Sequence, residues 1–81
     1  DLTEERRMEY VKIMKERIED GRVSVRQVRQ KFMQTIDEQQ KSGMSEDEAD
    51  RLREEGEKIV KDANAQIEVI KDEKEKDLLT I

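Results

Sequence analysis

The chain has 81 residues, of which 48% are charged and 32% are hydrophobic, and its formal net charge is −5. A chain of this length forms one small domain, and the absence of cysteine excludes a disulfide framework and a thiolate metal site. The acidic balance argues against a general affinity for nucleic acid or anionic membranes, so any site for a polyanion has to be local.

The first predicted element is a long helix, helix A, over residues 4 to about 40. Thr3 can cap this helix because its hydroxyl accepts a hydrogen bond from a free N–H of the first turn, where Glu4 and Glu5 also suit the helix dipole. Apolar residues then recur at intervals of three and four. They are Val11, Met14, Ile18, Gly21, Val25, Val28, Phe32 and Ile36. This near-heptad stripe predicts packing along a second long helix.

A turn over residues 41–45 precedes a second predicted helix, helix B, over about residues 46–79. Gly43 can adopt the left-handed conformation that ends a helix, and Ser45 with Glu48 forms a capping box that starts the next one. Apolar residues again follow spacings of three and four. They are Ala49, Leu52, Gly56, Ile59, Ala63, Ile67, Ile70, Leu78 and Ile81. The predicted fold is therefore all-α, a long antiparallel helical hairpin formed by a single domain of residues 1–81.

Apolar residues outside the two stripes predict a further packing partner. Two helices bury only one contact surface between them, and additional residues widen the apolar face beyond it. These residues are Ile13, Val23, Met33, Val60 and Val69. We therefore expect a helical bundle that is completed by a partner helix or by a second copy of the chain.

The residue types argue against an enzyme. The chain has no His and no Cys, one Tyr and three Gly, so a nucleophile–base pair of the Ser–His type and a phosphate-cradling glycine loop are not available. Carboxylates in the segment SEDEAD, residues 45–50, suit a helix start and lack the spacing of a calcium loop. No run reaches the roughly 18 apolar residues of a membrane span. We predict no catalytic residue, no metal, no cofactor and no membrane partner.

The most informative stretch is Gly21–Ile36, which contains no carboxylate in an otherwise acidic chain. The formal charge of this stretch is +4, whereas residues 1–20 carry −2 and residues 37–81 carry −7. Positive charge is therefore concentrated on one part of helix A.

Three arginines of this stretch share one side of the helix. Arg22, Arg26 and Arg29 fall within about 60° of one another on a helical wheel, beside the apolar stripe. Guanidinium groups donate paired hydrogen bonds to phosphate oxygens, so three at this spacing can lie along an RNA backbone. The alternative is that they form salt bridges to the acidic surplus of helix B or of another helix.

Four short segments together resemble the second part of a ribosome recycling factor. They are LTEERR at residues 2–7, RVSVRQVRQ at 22–30, SEDE at 45–48 and DEKEKDLL at 72–79. Their order and approximate separations are those of the family. The resemblance implies a non-enzymatic, cytoplasmic translation factor that acts with elongation factor G to split the ribosome after termination.

The resemblance also implies a binding site. The family's long three-helix domain lies against large-subunit ribosomal RNA, and arginines of its V-R-x-V-R segment contact that RNA. The corresponding residues are Arg26 and Arg29, with Arg22 beside them. The family usually has a basic residue and then an acid where this chain has Gln30 and Lys31, so one expected contact is either lost or moved by one residue to Lys31.

The resemblance implies that family members have two parts to which no segment of this sequence corresponds. These are an N-terminal helix, which forms the third member of the bundle, and a small β-rich domain, which meets the elongation factor. The missing helix would account for the unused apolar face of the predicted hairpin. The alternative interpretation is an acidic helical-hairpin or coiled-coil module that homo-oligomerises and has no role with RNA.

Overall fold

The protein is an antiparallel hairpin of two long helices. A computed structural model describes residues 3–80, with α1 over Glu4–Lys41 and α2 over Glu46–Thr80, and it shows no strand in this part of the chain. The predicted all-α hairpin is confirmed. Ile81, the predicted end of the second apolar stripe, lies outside the described residues. Within residues 3–80, neither helix contains a segment that is long and apolar enough to cross a membrane.

Local capping signals set the ends of the helices. The Thr3 hydroxyl accepts a hydrogen bond from the N–H of Arg6 at 3.1 Å, and the Ser45 hydroxyl accepts one from the N–H of Glu48 at 3.1 Å. Between the helices, Gly43 has a φ of +118°, which a residue with a side chain rarely adopts. The predicted caps and the predicted glycine turn are confirmed.

The two helices meet along a narrow seam whose best-packed part lies near the turn. Ile36 is 3% exposed and Ala49 is fully buried, and they are the only buried hydrophobic residues within residues 3–80. The backbone of Gly56 is buried against the ring of Phe32 on the opposite helix. This close approach requires a glycine, because a side chain at position 56 would occupy the space of the ring.

The predicted seam is wrong at three positions. Val28, Ile59 and Ile70 were expected to face the opposite helix, yet they are 69%, 69% and 48% exposed. Val60, which was predicted to lie outside the seam, is half-buried. The physical reason is that an α-helix has 3.6 residues per turn, so a stripe with a strict seven-residue period drifts by about 20° per heptad. After Val25 the side of α1 that faces α2 passes to Arg29 instead of Val28.

One side of the hairpin is an open apolar surface, here named the apolar face. Tyr10, Ile13 and Ile70 line a common groove on this side. Val28 follows Tyr10 by 18 residues, or about five helical turns, and Ile59 precedes Ile70 by 11 residues, or about three turns, so both lie on the same side. The apolar face consists of Tyr10, Ile13, Val28, Phe32, Ile59 and Ile70, each between 37% and 69% exposed.

The residues predicted to widen the apolar surface divide into two groups. Ile13 and Val69 are exposed, at 45% and 54%. Val23, Met33 and Val60 are half-buried within the hairpin itself. The unused apolar surface is therefore real, but it is supplied mainly by residues that the heptad count had placed in the seam.

Two glycines of the seam are expected to respond in opposite directions to alanine. Alanine is favoured over glycine within a helix by about 1 kcal/mol. At Gly21 a Cβ would lie 3.7 Å from Cδ1 of Ile67, an ordinary contact, so Gly21→Ala should raise the free energy of unfolding by up to about 1 kcal/mol. At Gly56 a Cβ would overlap the Phe32 ring, with Cδ2 at 2.8 Å, and overpacking of about 1–3 kcal/mol outweighs the gain.

Urea unfolding of both variants, followed by circular dichroism, measures this difference. Gly56→Ala should unfold at a lower urea concentration than the parent and Gly21→Ala at a higher one. A stabilising Gly56→Ala would contradict the placement of the Phe32 ring.

Candidate nucleic-acid interface

Three of the predicted RNA-binding residues lie along one open groove between the helices, here named the arginine groove. Its volume is about 330 Å³, and it is lined by Arg22, Val25, Arg26, Arg29, Val60, Asn64 and Glu68. The arginines are four and three residues apart, so they occupy successive turns of one side of α1 over about 10 Å. The structure thus brings three guanidinium groups together beside the seam.

The two outer arginines of the groove form salt bridges to the opposite helix. Arg22 donates from Nη2 to Oε1 of Glu68. Arg29 donates from Nε to Oε1 of Glu57 at 2.7 Å, and its Nη2 lies 2.6 Å from the same oxygen. These are the interhelical salt bridges that the alternative interpretation of the three arginines predicts. Solvent-exposed ion pairs contribute only about 0.2–1 kcal/mol each, so they are readily exchanged for another anion.

The middle arginine of the groove differs from its neighbours. Arg26 is exposed, and it makes no salt bridge to any residue between 3 and 80. It lies one turn from each of Arg22 and Arg29, so an anion that approaches the groove meets an uncompensated positive charge there.

Lys31 is the one predicted site residue that the structure keeps apart from the groove. It follows Arg29 by two residues, which is about 200° around the helix. It is exposed and does not line the groove, and its backbone carbonyl accepts a hydrogen bond from the Thr35 hydroxyl at 2.9 Å. The RNA contact of Lys31 stays a prediction, for a different side of α1.

A second charged cluster, which sequence reasoning missed, joins the helices near the turn. Arg53 donates to Asp37 at 2.8 Å, to Asp50 at 3.0 Å and to the amide oxygen of Gln40 at 2.7 Å. The hydrogen bond to Asp37 is the main cause that raises the pKa of Arg53. Asp50 stands three residues before Arg53, a visible local signal, whereas the contact with Asp37 depends on the folded register.

The two broad sides of the hairpin differ in chemistry. Arg17 lines the groove of the apolar face, and Arg26, nine residues and about 180° further round α1, lies in the arginine groove. Within residues 3–80, no group of three or more carboxylates is placed to hold a metal ion. The fold and the site define a long α-helical arm that carries three arginines on one side and an exposed apolar surface on the other.

Comparison with known proteins identifies the family of this arm. The model of the family described as ribosome recycling factor matches residues 1–79. The ribosome-recycling factor of Bifidobacterium longum is 43% identical over 82 residues, which cover 100% of this chain and 45% of the relative. The ribosome-recycling factor of Thermobifida fusca is 39% identical over 82 residues, which cover 100% of this chain and 44% of the relative. The ribosome-recycling factor of Desulforamulus reducens is 38% identical over 80 residues, which cover 99% of this chain and 44% of the relative.

The chain belongs to the ribosome recycling factor family, as the resemblance of its four short segments predicted. It spans less than half the length of the curated relatives that it matches. No solved structure matches the chain.

Proposed function

We propose that this chain is the helical arm with which a ribosome recycling factor lies against large-subunit ribosomal RNA. The whole protein would act in the cytoplasm with elongation factor G, separating the ribosomal subunits after termination. Family membership supports the role in translation. The single observation that carries the RNA contact is the exposed Arg26 between Arg22 and Arg29 in one open groove.

The chemistry of the groove suits a phosphate backbone. Each guanidinium offers parallel N–H groups that match two phosphate oxygens, and bound phosphates release their counterions to the solvent. The acidic surfaces outside the groove repel a polyanion, so RNA is expected to bind only on the side of α1 that carries the three arginines. The proposed role is binding, and it requires no reacting group from this chain.

The opposite side of the hairpin supports a second part of the proposal, a helical partner. The accessible surface of the chain is 6683 Å², compared with roughly 5,100 Å² for a compact monomer of 9.7 kDa. We propose that a further helix covers the apolar face and completes a three-helix bundle. A second copy of the chain is the other candidate, and it belongs to the alternative function of a homo-oligomeric module without an RNA role.

The RNA contact is tested by comparing Arg26→Ala with Arg17→Ala. Both variants remove one arginine from α1, but only Arg26 lies in the arginine groove. With purified large-subunit ribosomal RNA, Arg26→Ala should weaken binding and lower the slope of log affinity against log salt by about 0.7–0.9. Arg17→Ala should leave the slope unchanged. Lys31→Ala reports separately on the contact predicted for that residue.

Circular dichroism of each variant controls for helix content. Parent-like RNA binding and salt slope in Arg26→Ala would defeat the assignment of the groove. A chain that forms tight dimers and ignores RNA at every salt concentration would support the homo-oligomeric module instead.

A further inference from the structure

We propose that Glu57 and Glu68 form a carboxylate gate over the arginine groove. In the free protein these two carboxylates occupy the donors of Arg29 and Arg22, and RNA enters by exchanging them for phosphates, beginning at Arg26. This inference rests on the proposed RNA contact and goes beyond it. It assigns a specificity-determining role to two acidic residues of α2.

The gate is built from the same donors that an RNA backbone would use. Arg29 donates from Nε to one oxygen of Glu57, and Nη2 lies 2.6 Å from the same oxygen, so Glu57 covers the edge of the guanidinium that a phosphate would engage. Arg22 commits Nη2 to Glu68, and Glu68 itself lines the groove. A phosphate therefore cannot take its full set of hydrogen bonds from these arginines until the carboxylates leave.

Both salt bridges lie at the surface, where exchanging a carboxylate for a phosphate costs little free energy. The side chains of Arg22 and Glu68 are 35% and 51% exposed, and those of Arg29 and Glu57 are 47% and 48% exposed. A carboxylate released from such a site returns to water and leaves no buried charge behind. Glu68 also retains a positive neighbour, because Nζ of Lys71 lies 3.8 Å from its second oxygen.

The arrangement favours a chain of phosphates over isolated anions. A single anion gains little at Arg22 or Arg29, since it replaces one carboxylate by another anion of similar strength. An RNA strand held by Arg26 presents its next phosphates at a high effective concentration, so both exchanges become intramolecular. The gate therefore selects for a ligand that reaches all three arginines together.

Neutralising the gate should tighten binding to RNA. Glu57→Gln and Glu68→Gln each remove one competitor, and the value of an exposed ion pair corresponds to binding that is about 1.4- to fivefold tighter. Matched controls are Glu54→Gln and Asp72→Asn, which change the net charge equally. Glu54 and Asp72 stand three and four residues from Glu57 and Glu68 on the same side of α2, and neither forms a salt bridge within residues 3–80.

The experiment measures the affinity of the 81-residue chain for purified large-subunit ribosomal RNA at fixed salt. The gate variants should bind more tightly than both charge controls, and the gain from Glu57→Gln should vanish when Arg29→Ala is also present. Equal affinities for Glu57→Gln, Glu68→Gln and the controls would overturn the gate.

The RNA contact itself is judged by a different variant. If Arg26→Ala weakens binding while the gate variants match the controls, only the gate fails and the proposed function stands. If Arg26→Ala also binds like the parent, the proposed function fails and the gate fails with it.

Discussion

Replacing Ile36 with alanine is expected to lower the free energy of unfolding by about 2–5 kcal/mol. Ile36 is 3% exposed and is the larger of the two buried hydrophobic residues within residues 3–80. Small domains bury little surface and have little stability in reserve, so a loss of this size should unfold much of the hairpin. Far-ultraviolet circular dichroism during urea unfolding measures both the loss of helix and the shift of the midpoint.

Val28→Ala is the matched control for Ile36→Ala. Both residues belong to the same apolar stripe of the sequence, but Val28 is 69% exposed in the hairpin. Its truncation should therefore cost less than about 0.5 kcal/mol, as for other surface positions. Comparable losses in the two variants would show that the helices meet along the heptad stripe instead of the observed seam.

The different environments of Val28 and Arg29 show that the sequence pattern alone did not predict which residue of α1 faces α2. A count by hydrophobicity selects Val28 as the next seam residue after Val25, because a valine is expected inside and an arginine outside. The helical repeat of 3.6 residues instead turns position 29 toward α2. Arg29 can occupy that position because a guanidinium reaches solvent and Glu57 from a partly covered stem. No residue near Arg29 in the sequence indicates this salt bridge, because its partner Glu57 lies 28 residues further along the chain.

Features with local causes were predictable. The caps at Thr3 and Ser45 and the turn at Gly43 depend on residues within one helical turn, and the structure forms all three. The common side of the three arginines likewise follows from their spacing on one helix. The partners of Arg22 and Arg29 depend on how α1 and α2 are aligned. That alignment is visible in the packing of Phe32 on Gly56, which no pattern in either helix specifies.

Aspartates at Val28 and Ile59 are expected to abolish any association through the apolar face while the hairpin keeps its helices. Each residue is 69% exposed, so a charge at either position stays hydrated in the hairpin alone. Under a packed helix the same carboxylates would be buried without a partner, which costs several kcal/mol in free energy. The double variant Val28→Asp with Ile59→Asp therefore separates the stability of the hairpin from that of a completed bundle.

The parent chain should gain stability when its apolar face is covered, because a ligand that binds only the folded state raises the free energy of unfolding. Thermal unfolding at two protein concentrations tests a second copy as the partner, and addition of a peptide with the first helix of a whole relative tests a third helix. Either gain should disappear in the double variant. Met8→Asp is the control, since Met8 is 66% exposed but lies about five turns from Arg26, on the groove side of α1. A parent that gains from neither treatment, or a double variant that gains as much as the parent, would show that the apolar face binds no helix.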